Sequence, residues 1–432
     1  MIEKIRKAVT SFWRVRDVRR RLLFTFGFFI ILRFWAHIPL PGVNVDVLRK
    51  VFLGNQLLGL LNIFSGGTLS NFSITALGLS PYINASIVFQ LLAFVFPYFE
   101  RLSHEGEMGR QKIERYTKIT AIPLAVFQAL GMYALLKGKG IIGGLDFLSL
   151  VAFISTMTAG TFLLIWLGGL ISEYGLGNGI SLLIFAGIVS QIPQELTQTA
   201  TIASQGGNFL NLLVFLIVSL GVIIAIVWVN EANRRIPVQY AKRIRGRKMY
   251  GGQTTYLPLR LNQAGVIPII FAVSVVLIPS MLGQFLGNMD NEGIRNAALF
   301  LSNLFKQGGA VYNLTYFVLV VVFTFFYTMV VFNPEKIAGE IQKHGGFIPG
   351  IRPGKPTADY LNYISLRVTL PGALFLGLVA VLPAITQAVM GVTMMVLGGT
   401  SILIIVSVVL ETAKSVEAMV QMRGYDKFLE KY

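Results

Sequence analysis

The chain has 432 residues, 54% of them hydrophobic, only 13% charged, and no cysteine. About a quarter of a soluble domain is charged because its surface faces water, so this balance excludes an ordinary soluble protein, and the missing thiols exclude disulfides, thiolate metal sites and thiol catalysis. The formal net charge of +17 fits nucleic acid or a membrane surface as neighbour, and its distribution along the chain has to decide.

Ten apolar segments follow in chain order, each near the roughly 18 residues that mark a membrane crossing. The first, about Leu22–Ile38, follows a basic stretch as a signal peptide would. Arg33 interrupts it, however, and Pro39-Leu-Pro-Gly42 stands where a small-residue cleavage site would be, so it reads as a retained first span. The others are Thr75–Pro97, Ile119–Leu136, Phe147–Ile171, Ile180–Leu196, Leu210–Val229, Leu261–Phe285, Val311–Phe332, Ile364–Leu382 and Val392–Leu410. The runs Leu261–Met289 and Val368–Leu410 hold no Asp, Glu, Lys or Arg. Between the first two spans lies Leu57–Leu69, apolar but short and broken by Gly66-Gly67. Two readings fit it: a re-entrant half-helix, tolerated only beside protein or a water-filled cavity, or an amphipathic loop on the outer surface.

The charges orient the chain. With the N-terminus inside, the inner segments hold 29 Lys and Arg and the outer loops 6, a strong positive-inside asymmetry that places both ends in the cytosol. Ten spans split into two sets of five, and an odd number per set forces the second set to enter from the opposite side, as in inverted-repeat transport proteins. The expected halves are 1–206 and 207–432, with spans two and seven corresponding, and five and ten.

Intramembrane ionisable groups usually mark proton or ion pathways. Only Arg33 lies well inside a span, and snorkelling or packing against a neighbour accounts for it. Glu173, Glu231, Arg367 and Glu411 lie at cytosolic ends, and His37, His104 and His344 near or outside boundaries. A proton-coupled carrier needs a carboxylate or histidine deep in a span, and a membrane enzyme needs a catalytic constellation. The sequence shows neither, nor any metal-ligand cluster or cofactor motif. A secondary carrier for a small solute still fits the span count and remains the alternative.

Two inner loops stand out. Loop six–seven (230–260) carries Arg234, Arg235, Lys242, Arg243, Arg245, Arg247 and Lys248, and its Lys-Met-Tyr-Gly-Gly-Gln-Thr-Thr-Tyr centre predicts a β-hairpin about Gly251-Gly252. A stiff basic finger suits RNA phosphates, an acidic protein surface or lipid headgroups, and its charges also fix topology. Within loop eight–nine (333–363), Lys343–Pro356 is dense in glycine and proline, which predicts a fixed series of turns presenting Arg352 from a constrained backbone. Both loops read as docking surfaces, with Lys355 included.

Several motifs, in family order over nearly the whole chain, resemble the SecY family, the core subunit of the bacterial protein translocon. They are Phe64-Ser-Gly-Gly-Thr68, Pro81-Tyr-Ile-Asn-Ala-Ser86, Gly177–Ile188, Arg234–Arg243, Asn262–Pro268, Phe332-Asn-Pro334, Phe347–Gly354 and Gly398-Gly-Thr-Ser401. The chain departs from the family at Trp35-Ala36-His37 and in the outer loop Gly287–Ala310. The resemblance implies an all-α polytopic membrane protein of the bacterial inner membrane. Its ten transmembrane helices would form two inverted halves around an hourglass pore, with a short plug helix, a cytosolic β-hairpin loop and a lateral gate between spans two–three and seven–eight.

By position, the resemblance makes Leu79, Ile83, Ile184, Ile270 and Ile404 an apolar ring at the waist, where a constriction excludes ions by dewetting. It makes the segment from Leu60 to Asn71 the plug, with Leu60, Asn62, Ile63, Phe64, Ser65, Gly66, Gly67 and Leu69 as its residues, and Gln90 a polar residue at the gate. The partners implied are the small subunits SecE and SecG, the SecA ATPase or the ribosome at the two basic loops, signal peptides and unfolded preproteins, and membrane lipids. No cofactor is implied, and no chemistry is catalysed by the chain itself.

Overall fold

The computed structural model describes residues 16–40, 68, 72–138, 142–193, 197, 209–240, 243–245, 248–250, 254–286, 292–306, 308–390 and 399–429. Apolar composition dictates helices here, since a backbone in hydrocarbon must satisfy its own hydrogen bonds. They run α1 (Arg16–Trp35), α2 (Ser80–Val95), α3 (Pro97–His104), α4 (Glu107–Gly138), α5 (Phe147–Tyr174), α6 (Gly179–Val189) and α7 (Phe209–Glu231). After four strands come α8 (Ile267–Leu286), α9 (Glu292–Leu304), α10 (Ala310–Val331), α11 (Pro334–Lys343), α12 (Lys355–Met390) and α13 (Gly399–Leu429). A helix overlaps each of the ten expected apolar segments, although α6 reaches only Val189 of Ile180–Leu196 and α13 starts at Gly399 within Val392–Leu410, whose first residues lie outside the described ones. Among the described residues, four runs are long and apolar enough to cross a membrane by themselves: Glu107–Gly138, Phe147–Tyr174, Ala310–Lys343 and Lys355–Thr386. The pair α2 and α3, bent by 106° at Phe96, adds a fifth if taken as one span.

The chain divides into two compact units. The first comprises Met1–Ile202, Pro279–Gln307 and Ile404–Tyr432, the second Ala203–Ile278 and Gly308–Leu403.

In the first unit, helices meet through small residues. Between helices in lipid, close van der Waals packing replaces the hydrophobic effect, and glycine lets backbones approach. A Cβ at Gly179 would overlap the Gly168 carbonyl, so α5 and α6 touch backbone to backbone. The turn between them is tied internally: Ser172 Oγ accepts from Gly179 N at 2.8 Å and donates to Gly168 O at 3.0 Å. Asn178 caps α6, its Oδ1 accepting from Ile180 N and Ser181 N, which satisfies two of the amides a helix start leaves unpaired. This uncharged turn also binds α1. Arg21 donates to Gly175 O at 3.1 Å, Leu176 N donates to Thr25 Oγ1 at 3.3 Å, and Val18, Leu176 and Val416 pack as a small cluster.

The second unit adds a sheet of order β4-β1-β5, built from β1 (Asn233–Tyr240), β4 (Thr254–Arg260) and β5 (Gly346–Phe347). A separate ribbon pairs β2 (Arg243–Arg245) with β3 (Lys248–Tyr250). In β1, Ile236 and Val238 turn inward while Arg235, Pro237 and Gln239 are exposed, the period-two pattern of a half-buried strand. Its inward face joins Leu259, Ile348, Leu361 and Ile364 in one core. The expected β-hairpin is present but centred elsewhere. Arg245 pairs with Lys248, so the tip ribbon closes there, and Gly251-Gly252 falls between β3 and β4, which pair with different strands.

Candidate pore and docking sites

The first site lies within the first unit, around the start of α2. Leu79 is the N-cap residue, Pro81 fits the first turn because it needs no amide donor there, and Ile83 N bonds to Leu79 O at 2.9 Å. Leu79 and Ile83 are thus one turn apart on one helix face; Leu79 is buried and Ile83 half-buried. A pocket there is lined by Leu79, Ile184, Thr68, Arg33, Leu164 and Gly187, among others. Two expected ring residues from α2 and α6 therefore share one apolar pocket with Thr68, which lies within the expected plug segment, and with the span-one arginine. Ile404, also in this unit, is buried on α13, and Ile270 is buried on α8 in the second unit.

Of the plug residues, Leu60, Asn62, Ile63, Phe64, Ser65, Gly66, Gly67 and Leu69 lie outside the described residues. What is described is how the stretch 41–71 is anchored. Leu40 N bonds to Phe72 O at 2.9 Å and Ile74 N to Ile38 O at 3.0 Å, so its two ends are held side by side. Thr68 Oγ1 donates to Thr75 O at 2.9 Å, and the hydroxyls of Ser73 and Thr75 are 3.0 Å apart, all buried. Phe72 has φ 43°, a strained conformation for a bulky side chain. Complete burial and the Phe153 ring at 5.9 Å hold it there.

Gln90, the expected gate residue, is half-buried on α2. Its Nε2 donates to Ser86 Oγ at 3.0 Å, while its Oε1 is buried with no hydrogen-bond partner. An unpaired buried acceptor costs about 1–3 kcal/mol, so the position favours any partner that supplies a donor.

The second site is the strand-built face of the second unit, and it unites two loops that the sequence presented separately. Gln239 pairs with Phe347 and Tyr240 with Gly346, so β5 of loop eight–nine adds to the sheet of loop six–seven. Glycine fits this joint closely: a Cβ at Gly346 would lie 3.0 Å from both the Tyr240 ring and the Ile341 side chain, so any larger residue would push them apart. Beyond it the backbone turns repeatedly, with Gly350 and Gly354 at φ 81° and 96°, where glycine is favoured. Ile351 N bonds to Ile348 O at 3.0 Å, and buried Thr357 donates to Arg352 O at 2.8 Å. Arg352 therefore has a pinned backbone and an exposed side chain, as expected. Lys355, Arg234 and Arg235 are also exposed. Arg243, Arg245 and Lys248 occupy the tip ribbon, and Lys242 and Arg247 lie outside the described residues. The joint at Tyr240 and Gly346 and the Thr357 brace went unseen in the sequence. A two-residue strand has no periodicity, and only the Gly345-Gly346 pair hints at it.

Apolar helices long enough to cross a bilayer, beside a strand-built face that presents cations, define a multi-pass helical membrane protein. The family model described as SecY matches residues 73–413. Among similar proteins are the protein translocase subunits SecY of Streptomyces galbus, 44% identical over 96% of this chain and 98% of that protein, and of Mycobacterium tuberculosis, 44% identical over 98% and 99%. The chain belongs to the SecY family. Its fold is shared with a solved protein-conducting channel, at a TM-score of 0.65, 20% identity and coverage of 93% of this chain and 92% of that one. The same holds for Sec61 in the canine ribosome–channel complex, at a TM-score of 0.63, 19% identity and the same coverage.

Proposed function

We infer that this chain is the channel subunit of a protein translocase, carrying secretory polypeptides across a bacterial cytoplasmic membrane and releasing apolar segments sideways into it. Membership of the SecY family carries this reading, and the pocket shared by Leu79, Ile184 and Thr68 supports it physically. Branched aliphatic side chains offer no directed bonds, so they can close around one another, exclude ions, and yield to an arbitrary passing chain without binding it. A solute carrier would instead need a few convergent polar groups to fix its substrate.

In this reading ten spans form two inverted halves, 1–206 and 207–432, with both ends cytosolic. Ile83, Ile270 and Ile404 complete the ring, the segment from Leu60 to Asn71 plugs it from outside, and Gln90 lies at the lateral gate. The basic loops, Arg352 foremost, dock the SecA motor or the ribosome, and SecE and SecG accompany the chain. The test is reconstitution of the full chain with its small subunits in vesicles, with SecA, ATP and a radiolabelled preprotein. Protease-protected preprotein that accumulates only with ATP is the expected result; ATP-independent uptake of small solutes with no protected preprotein would favour the carrier.

A further inference from the structure

We propose that α9, in the loop between spans seven and eight, is an interfacial helix. It would lie in the headgroup layer of the outer leaflet with Phe300 and Leu304 turned toward the acyl chains.

Helical geometry divides α9 into two arcs. Ala297, Ala298, Phe300, Leu301 and Leu304 share one side, while Glu292, Arg295, Asn296, Ser302 and Asn303 share the other, with Leu299 the one apolar residue among them, itself half exposed. The protein covers only part of the apolar arc. Ala298 is buried, yet Phe300 is 69% exposed and Leu304 39%. The covered edge sits on the end of α8: a Cβ at Gly283 would lie 2.7 Å from the Ala298 carbonyl oxygen and 2.8 Å from the Ser302 Cβ. This backbone-close contact fixes which edge of α9 faces α8 and leaves Phe300 turned away from it.

The lipid interface is the occupant that fits the uncovered edge, for three reasons. First, α8 occupies the expected seventh span, its apolar part Ile267–Ser280 followed past Pro279 by about one and a half more turns, so on the orientation proposed above its end approaches the outer surface. Only residues 287–291 separate α8 from α9, so α9 cannot stand far from that surface. Second, Leu282, on the last turns of α8, is itself exposed, so apolar side chains stand uncovered on α8 as well as on α9. Third, the helix carries one Glu292 and one Arg295, 3.8 Å apart; this charge balance suits a mixed headgroup layer rather than a strongly charged protein. An amphipathic helix with aromatic and leucine side chains on one side binds in this plane. The choice of the outer leaflet rests on the orientation proposed above.

The chain has no cysteine, so Phe300→Cys and Asn303→Cys each create a single labelling site. The full chain, nitroxide-labelled at either site, is reconstituted in vesicles of phosphatidylcholine and phosphatidylglycerol and probed with oxygen and a water-soluble nickel chelate. Expected is preferential relaxation by oxygen at position 300 and by nickel at 303. Nickel access at both sites would overturn the proposal in favour of a helix in water. Shielding of position 300 from both reagents would overturn it in favour of a protein cover. Gly283→Leu added to Phe300→Cys pushes α9 off α8 and should reduce the oxygen preference; an unchanged preference would remove the Gly283 contact as the feature that sets depth. The side is read separately. A membrane-impermeant maleimide should label Asn303→Cys in intact spheroplasts, and labelling only after lysis would overturn the orientation while leaving the interfacial depth standing.

Discussion

The pocket region of the first unit and the sheet of the second are held by opposite means. Around Leu79 and Ile184, helices meet through glycine and branched aliphatic side chains, and the directed bonds nearby, from Thr68 to Thr75 and between Ser73 and Thr75, tie the chain leading into α2 rather than helix to helix. A surface in lipid gains little hydrophobic energy by burial, so shape fit decides and each contact is cheap to exchange for another. The sheet is held by directional bonds: seven residue pairs join β1 to β4 and two join β1 to β5. It lies over a core in which Leu361 and Ile236 are almost fully buried, each contributing about 1.5–3 kcal/mol where water is the alternative. In the proposed reading the first region is the one that opens and recloses, while the second holds Arg352 in a fixed place.

The sharpest way to break that contrast is to change charge without touching scaffold. Arg352→Glu reverses the sign of an exposed side chain whose backbone stays pinned by Thr357. Motor-driven translocation in vesicles should fall to background, with unchanged expression and unchanged melting in detergent. Normal translocation would separate Arg352 from docking.

Next in size is damage to the joint. Gly346→Val drives a branched side chain into Tyr240 and Ile341, and overpacking costs about 1–3 kcal/mol. If the two loops act as one face, translocation should drop about tenfold, the equivalent of ~1.4 kcal/mol, although no charge has changed. A drop confined to Arg352→Glu, with Gly346→Val behaving as the parent, would mean that the loops work independently.

In the pocket region the same reasoning predicts tolerance of packing changes and sensitivity to polarity. Ile83→Val should leave translocation of normal substrates intact. If Ile83 belongs to the proposed ring, Ile83→Asn puts a hydrogen-bonding group into it, and preproteins with defective signal sequences should then pass several-fold more often. Equal rejection by both variants would remove Ile83 from the ring.

The sequence made one region far more legible than the other. Hydropathy placed a helix within every expected segment, because an apolar run in a membrane has one structural solution, but it overran the fifth, where the helix is only Gly179–Val189. It placed the basic loops, and the glycine–proline run around Arg352 did form fixed turns. It misplaced the hairpin, since Gly251-Gly252 carries the stronger local turn signal while the register follows the inward pair Ile236 and Val238. It missed the joint altogether: Gln239 and Phe347 are far apart in the chain, and strand pairing over such a separation leaves no local trace. The ties of Thr25 to Leu176 and of Arg21 to Gly175 escaped for the same reason.

The smallest effect tests the pinning itself. Thr357 is buried, and its hydroxyl donates to the Arg352 carbonyl. Thr357→Val keeps the shape and removes the donor, leaving that carbonyl to water or to nothing. A lost hydrogen bond of this kind costs about 1 kcal/mol. Stability should fall by that amount, and translocation more steeply than stability, because Arg352 keeps its charge and loses its fixed position. Thr357→Ser retains the donor and should restore translocation ahead of stability, since it gives back the bond but not the methyl contact. Were Thr357→Val and Thr357→Ser to impair translocation equally, the bond would not be what positions Arg352, and charge alone, wherever the loop puts it, would account for docking.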